Sequence, residues 1–192
     1  MRIFLAGATG VIGVRLIPLL LSEGHVVAGM TRSPERTASL RKLGAGPVLC
    51  DVFDERGLHD AVTDFGPDLV MHQLTDLPDD VKRIPESLAG NNRIRTQGTL
   101  NLLWNAGPSR FVAQSIAWTP PAGGEAVAEH ESMVLDAHGV VIRYGAFYGP
   151  GTYSRNGLIP PPPRIHIDEA ARRTVQLLDA PPGMVVVAEE GS

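Results

Sequence analysis

Ile3-Phe4-Leu5-Ala6-Gly7-Ala8-Thr9-Gly10-Val11-Ile12-Gly13 decides the fold of this chain. The apolar run Ile3 to Ala6 has the length and composition of a buried strand, and the apolar segment from Val11 to Leu21 that of a helix. Between them lie three glycines, and a strand, a glycine turn and a helix in that order form the setting of a dinucleotide-binding motif. The first glycine permits the tight turn, the second lets backbone approach a pyrophosphate, and the third lets helix pack closely on strand. Amide groups at the helix start then face phosphate charge, aided by the helix dipole. Gly7, Thr9, Gly10, Val11, Ile12 and Gly13 are the expected contacts. An ordinary glycine turn is the alternative, and the flanking strand and helix argue against it.

Working outward, apolar runs alternate with helical patterns, the signature of a parallel sheet wound with helices. Strands are expected near 2–6, 25–30, 47–50, 68–73, 110–115 and 139–144, and helices near 11–22, 34–43, 54–64, 91–106 and 125–136. The strands are almost continuously apolar, as when both faces of a sheet are covered. The fold class is therefore α/β, a doubly wound parallel sheet of Rossmann type. Pro18 inside the first helix predicts a kink. Residues 1–152 form the nucleotide-binding domain in this reading. Residues 153–192 form a shortened C-terminal segment, a rudimentary substrate lobe packed on the same domain. That segment holds a polyproline spacer, Pro160 to Pro163, then a strand-to-helix entry at Ile165–Ala171 with Asp168 as candidate N-cap. A last strand covers Val185 to Ala188.

Composition narrows the function classes. The chain has 192 residues, 43% hydrophobic and 20% charged, with a net charge of −4. One ordinary domain is expected. No basic cluster suggests nucleic acid, and Val11–Leu21 falls far short of the roughly 20 apolar residues that span a bilayer. The single cysteine, Cys50, reads as a buried inert thiol in a reducing cytosol. A cytoplasmic protein with a dinucleotide cofactor and an unknown small-molecule substrate is expected, without nucleic-acid or membrane partners.

The spacing Gly-x-x-Gly-x-x-Gly resembles the opening of the extended and atypical short-chain dehydrogenase/reductases, the group that contains the NAD-dependent epimerase/dehydratase family. Val140-Val141-Ile142-Arg143-Tyr144-Gly145 and Tyr148-Gly149-Pro150-Gly151 resemble that family's sixth strand and the signature segment just after it. The resemblance implies that Asp51-Val52 serves as an adenine-binding pair, although Asp51 suits an N-cap equally well. It implies that Gln73, Leu74 and Thr75 lie beside the nicotinamide ribose. It also places Asn91, Arg93 and Arg95 on a helix that supports the active site and often supplies a dimer face, so a homodimer is an expectation. His72 reads better as a hydrogen-bonded core histidine than as a catalytic one.

Cofactor choice falls at the end of the second strand. An NAD site usually carries a carboxylate there, whereas this chain has Thr31, Arg32, Ser33 and, a little further on, Arg36. An Arg pairs with a 2′-phosphate that a carboxylate repels, so NADP(H) is favoured over NAD(H). A solvated loop before a helix capped by Ser33 is the bland alternative.

Catalysis is where the sequence departs from the pattern. The superfamily uses a Ser or Thr after the fifth strand and Tyr-x-x-x-Lys on the next helix. Ser115 is the nearest hydroxyl, one residue early if Ile116 holds the catalytic position. No Tyr-x-x-x-Lys exists, and the only lysines are Lys42 and Lys82. Tyr148, or Tyr144, is the substitute the sequence offers. Relative to the family, stretches are missing near 119–125, where the Tyr would sit, and near 155–165, where a substrate lobe would grow. Either the protein is a natural short form or the sequence is part of a longer chain. No metal site is expected, since Glu129, His130 and Glu131 are adjacent and splay around a helix. Trp104 and Trp118 read as core residues. An NADP-dependent oxidoreductase acting on a carbonyl or sugar-type substrate and a catalytically silent NADP(H) sensor both remain open.

Overall fold

A computed structural model describes residues 1–78, 80–154 and 157–189. Seven parallel strands form one sheet: β1 (Arg2–Ala6), β2 (Val26–Thr31), β3 (Gly46–Leu49), β4 (Leu69–His72), β5 (Arg110–Ile116), β6 (Val140–Tyr144) and, last in the chain, β9 (Gly183–Val187). Their spatial order is β3-β2-β1-β4-β5-β6-β9. Two short strands, β7 (Ala146–Tyr148) and β8 (Arg164–His166), pair in parallel beside it. In the C-terminal segment, β9 extends the main sheet, in register from Val140↔Gly183 to Tyr144↔Val187.

Alternation along the strands divides the core into two layers. On one face Ile3, Leu5, Leu69, Met71, Val112 and Ile142 meet α1 (Gly13–Ser22), α2 (Thr37–Lys42) and α7 (Ile167–Val175). On the other, Phe4, Val70, Phe111 and Val141 meet α3 (Glu55–Phe65), α5 (Thr99–Ala106) and α6 (Gly124–Asp136). The chain leaves β1 toward β2 and later returns to lay β4 on β1's other side. The sheet's topological switch point, the usual ligand crevice of such sheets, therefore lies between the C-terminal ends of β1 and β4.

α1 runs unbroken through Pro18, which is on the exposed side. Several other local expectations are corrected. Ser33 opens only a 3₁₀ turn, Pro34–Arg36, and makes no capping bond. Asp54, not Asp51, caps α3 by accepting the Gly57 amide. His166, not Asp168, caps α7. The helix expected at 91–106 begins earlier, as α4 (Ile84–Arg93), and reaches α5 through a widened π turn, Ile94–Gly98. Trp104 and Trp118 are not core residues: Trp104 is 84% exposed and Trp118 41%. Cys50 is buried as expected; burial first, then Asp54 and Asp51, push its thiol up to about 11. No described helix is long and apolar enough to cross a membrane.

Candidate functional site

The three glycines have different physical reasons to be glycine. Gly7 has φ +90°, and a β-carbon there would fall 2.4 Å from the Gln73 carbonyl oxygen. At Gly13 a β-carbon would lie 2.3 Å from the Gly7 carbonyl oxygen. Both are required by the fold itself. Gly10 is less constrained: a β-carbon there would meet only the Gly7 carbonyl oxygen, at a tight 3.2 Å. Its otherwise open face suits close backbone approach by a phosphate. The amides of Val11 and Ile12, at the start of α1, have no backbone acceptor among the described residues. They suit an anion at a helix N-terminus.

Beside this turn, the end of β2 gathers the other expected contacts. The Thr9 and Thr31 hydroxyls are 3.4 Å apart, and Thr31 Oγ1 accepts the Ser33 amide at 3.2 Å. Arg36 donates to the Thr9 carbonyl at 3.1 Å. Arg32 reaches across to Asp76, beyond β4, with Nη2 and Oδ1 2.5 Å apart. Asp51 is exposed and accepts the Phe53 amide, while Val52 is buried against Gly98 with its carbonyl held by Asn101. On the β4 side of the crevice, Gln73 is 4% exposed, and its amide lies against the buried Tyr144 hydroxyl without completing a well-formed hydrogen bond among the described residues. Buried amides rarely go unpaired. Leu74 and Thr75 follow it along the rim, and the Leu74 carbonyl accepts from Gln114 at 3.2 Å.

The wall toward β5 and β6 is polar, closed and internally paired. His72 Nε2 lies 3.1 Å from Thr99 Oγ1, which lies 2.7 Å from His130 Nδ1. His130 Nε2 faces the Gln114 carbonyl at 2.9 Å, and the Leu74 amide donates to His72 Nδ1 at 3.2 Å. A carbonyl only accepts and an amide N–H only donates, so these two ends fix every proton between them. His72 donates to Thr99, and Thr99 donates to His130. Both rings are neutral. Burial is the main cause holding each below the ordinary histidine range, helped for His72 by the neighbouring His130 and Arg95.

Alongside, Ser115 Oγ donates to Glu131 Oε1 at 2.5 Å, and Arg143 grips both oxygens of the same carboxylate at 2.8 and 2.5 Å. Burial alone would raise the Glu131 carboxyl, but the hydrogen bonds from Arg143 and Ser115 outweigh it and hold the group below its usual range. Ser115 is 2% exposed, and its hydroxyl is turned toward α6. Tyr148, on β7, spends its hydroxyl on Glu189 past β9. Tyr144 is buried against Thr174, its phenol pushed up by burial. α6 itself reads Gly-Glu-Ala-Val-Ala-Glu-His-Glu-Ser-Met-Val-Leu-Asp, with neither Tyr nor Lys.

Residues 3–138 match the model of the NAD dependent epimerase/dehydratase family. The chain belongs to that family. A Streptomyces member, named 3-diazoavenalumate denitrifying reductase, is 38% identical over 186 residues, covering 82% of this chain and 60% of its own. The chain thus spans 60% of that relative's length. A sterol-4-alpha-carboxylate 3-dehydrogenase (decarboxylating) from Dictyostelium discoideum is 33% identical over 90 residues, covering 47% of this chain and 27% of its own. Among solved structures, the Thermus thermophilus UDP-glucose 4-epimerase in complex with NAD superposes with TM-score 0.77 at 21% identity, covering 98% of this chain and 78% of that one. The Thermotoga maritima UDP-glucose 4-epimerase with UDP-glucose gives 0.79 at 15%, covering 98% and 77%. These structural likenesses concern the fold.

Within this family member, sequence reading missed Asp76, Thr99, Glu131 and Arg143. Of the three adjacent residues expected to splay, only Glu129 faces outward; His130 and Glu131 both turn inward, each to its own partners. The available signal was helical spacing: Val127, His130, Glu131 and Val134 form one inward stripe of α6.

Proposed function

We propose that this family member binds NADP(H) at the β1–β4 crevice and acts as a reductase whose hydride acceptor needs no proton from the protein. One observation carries the reading: a turn suited to a dinucleotide is combined with an α6, the helix that follows β5, that lacks both Tyr and Lys. The Val11 and Ile12 amides and the open Gly10 face would hold the pyrophosphate, Arg32 and Arg36 a 2′-phosphate, and the Gln73 amide, with Leu74 and Thr75, the nicotinamide end. When bound, the dinucleotide supplies hydride. Reduction of a carbonyl also calls for a proton donor, typically worth about 10²–10⁴-fold in rate. The hydroxyls of Ser115 and Tyr148 are each committed to a carboxylate.

A diazonium group makes no such demand, and the diazo-reducing Streptomyces relative supports that substrate class. A bound dinucleotide would supply hydride to the terminal nitrogen of R–N₂⁺, and the overall change would be R–N₂⁺ plus hydride to R–H plus N₂, with no proton asked of the protein. The test follows NADPH oxidation and nitrogen release with arenediazonium salts, beside aldehydes, ketones and sugar nucleotides. Diazonium reduction above the protein-free rate is expected, with carbonyl reduction near background. Robust carbonyl turnover that survives both Ser115→Ala and Tyr148→Phe would overturn the reading. NADPH binding without turnover on either class would instead favour a catalytically silent sensor, the second reading that the missing Tyr-Lys pair supports.

A further inference from the structure

The Arg32 guanidinium, the group best placed for a 2′-phosphate, is already engaged by a carboxylate from another part of the chain. Asp76 lies past β4, 44 residues along the chain from Arg32, and its Oδ1 is 2.5 Å from Arg32 Nη2. It is held there by α4. The Asp76 amide donates to Asn91 Oδ1 at 3.1 Å, and Asn91 is itself 3% exposed. The carboxylate rests over Gly90, where a β-carbon would come within 2.5 Å of Oδ2. The other charges nearby are differently occupied: Arg36 leans on the Thr9 carbonyl, and Glu35 takes the Ser33 hydroxyl.

We infer that Asp76 is the specificity-determining residue of the cofactor site, setting how strongly it discriminates between dinucleotides with and without a 2′-phosphate. The inference rests on the proposed placement of the adenosine end beside β2. A 2′-phosphate must displace Asp76 from Arg32 and then bear the repulsion of the carboxylate left behind. A 2′-hydroxyl bears no such repulsion, and it is able to donate to that carboxylate. Asp76 thus does from the β4 side what an acidic residue at the end of β2 does in an NAD site, and it opposes the preference that Arg32 and Arg36 create.

Titration of NADPH and NADH against the unmodified protein and Asp76→Asn, at one ionic strength, tests this. The NADPH:NADH affinity ratio should rise about three- to ten-fold in Asp76→Asn, the scale of an exposed ion pair plus one relieved repulsion. In an Arg32→Ala background the same change should still raise the ratio, but by less, because only the repulsion and not the competition for Arg32 is then relieved. Asp76→Ser removes the same charge with a different shape, so it must move the ratio in the same direction. The fragments 2′,5′-ADP and 5′-AMP should reproduce the difference without the nicotinamide end. An unchanged or lower ratio in Asp76→Asn, with both cofactors still binding, would overturn the inference. Failure of either cofactor to bind even the unmodified protein would instead strike the functional reading beneath it.

Discussion

Three glycines of one turn make a sharp contrast at the scale of single residues. Gly13→Ala sets a β-carbon against backbone, where nothing flexible is able to yield. It should cost roughly 1–3 kcal/mol or more of stability, as overpacking does. Gly10→Val meets one carbonyl and otherwise open space, so it should keep the fold and lose dinucleotide binding. Thermal melts beside a binding titration separate the two, and a Gly10→Val protein that binds NADPH normally would return this turn to a structural role. The glycine turn was legible in sequence because its spacing is local. Asp76 was not, because its meaning depends on Arg32, a neighbour in space only, and on the space left by Gly90. Likewise, the hydroxyl of Ser115 could be found by position along β5, but its commitment to Glu131 could not.

Among elements, the exits of β4 and β5 are joined to α5 and α6 by the ordered chain through His72, Thr99 and His130. Thr99→Val leaves a buried N–H without an acceptor and a buried ring nitrogen without a donor, so it should destabilise by about 1–3 kcal/mol. Thr99→Ser keeps both bonds and should stay near the unmodified protein. The same chain sets a pH dependence. Both histidines are held below their ordinary value of 6.5 in the folded protein. As pH falls below about 6.5, the unfolded chain takes up protons first, and stability is progressively lost. Glu131, also lowered, adds a further loss in the carboxylate range below 4.5. Denaturant unfolding at pH 7.5 should therefore give a higher free energy than at pH 5.5; equal values would contradict neutral buried rings. The strands of the main sheet and most helices were legible from hydropathy, β1 to the residue, whereas β7 was not. The break in the 84–106 helix was not, because a π turn changes no apolar pattern and shows only in the hydrogen-bond register.

For the molecule as a whole, the order of elements in sequence differs from their order in space. β9 closes the sheet beside β6, and the Gly145 amide donates to the Val187 carbonyl at 3.0 Å. Removing residues from 183 onward would expose the β6 edge and part of the apolar layer beneath it. Such a truncation should be markedly less stable and prone to association, and size-exclusion chromatography with thermal melts reads both. A soluble monomer with unchanged melting would show β9 to be dispensable. The last strand was legible as a short apolar run, but its place at the sheet edge was not, because strand order is a long-range property. α7 shares its core layer with α1, Ile167, Ala170 and Ala171 lying in one cluster with Leu16, Ile17 and Leu20. During translation α1 emerges long before its cover. At about 5–20 residues per second, the sticky side of α1 waits on the ribosome for on the order of ten seconds or more. The most hazardous moment in this protein's life therefore comes at its birth, while that apolar side is open to association with other chains.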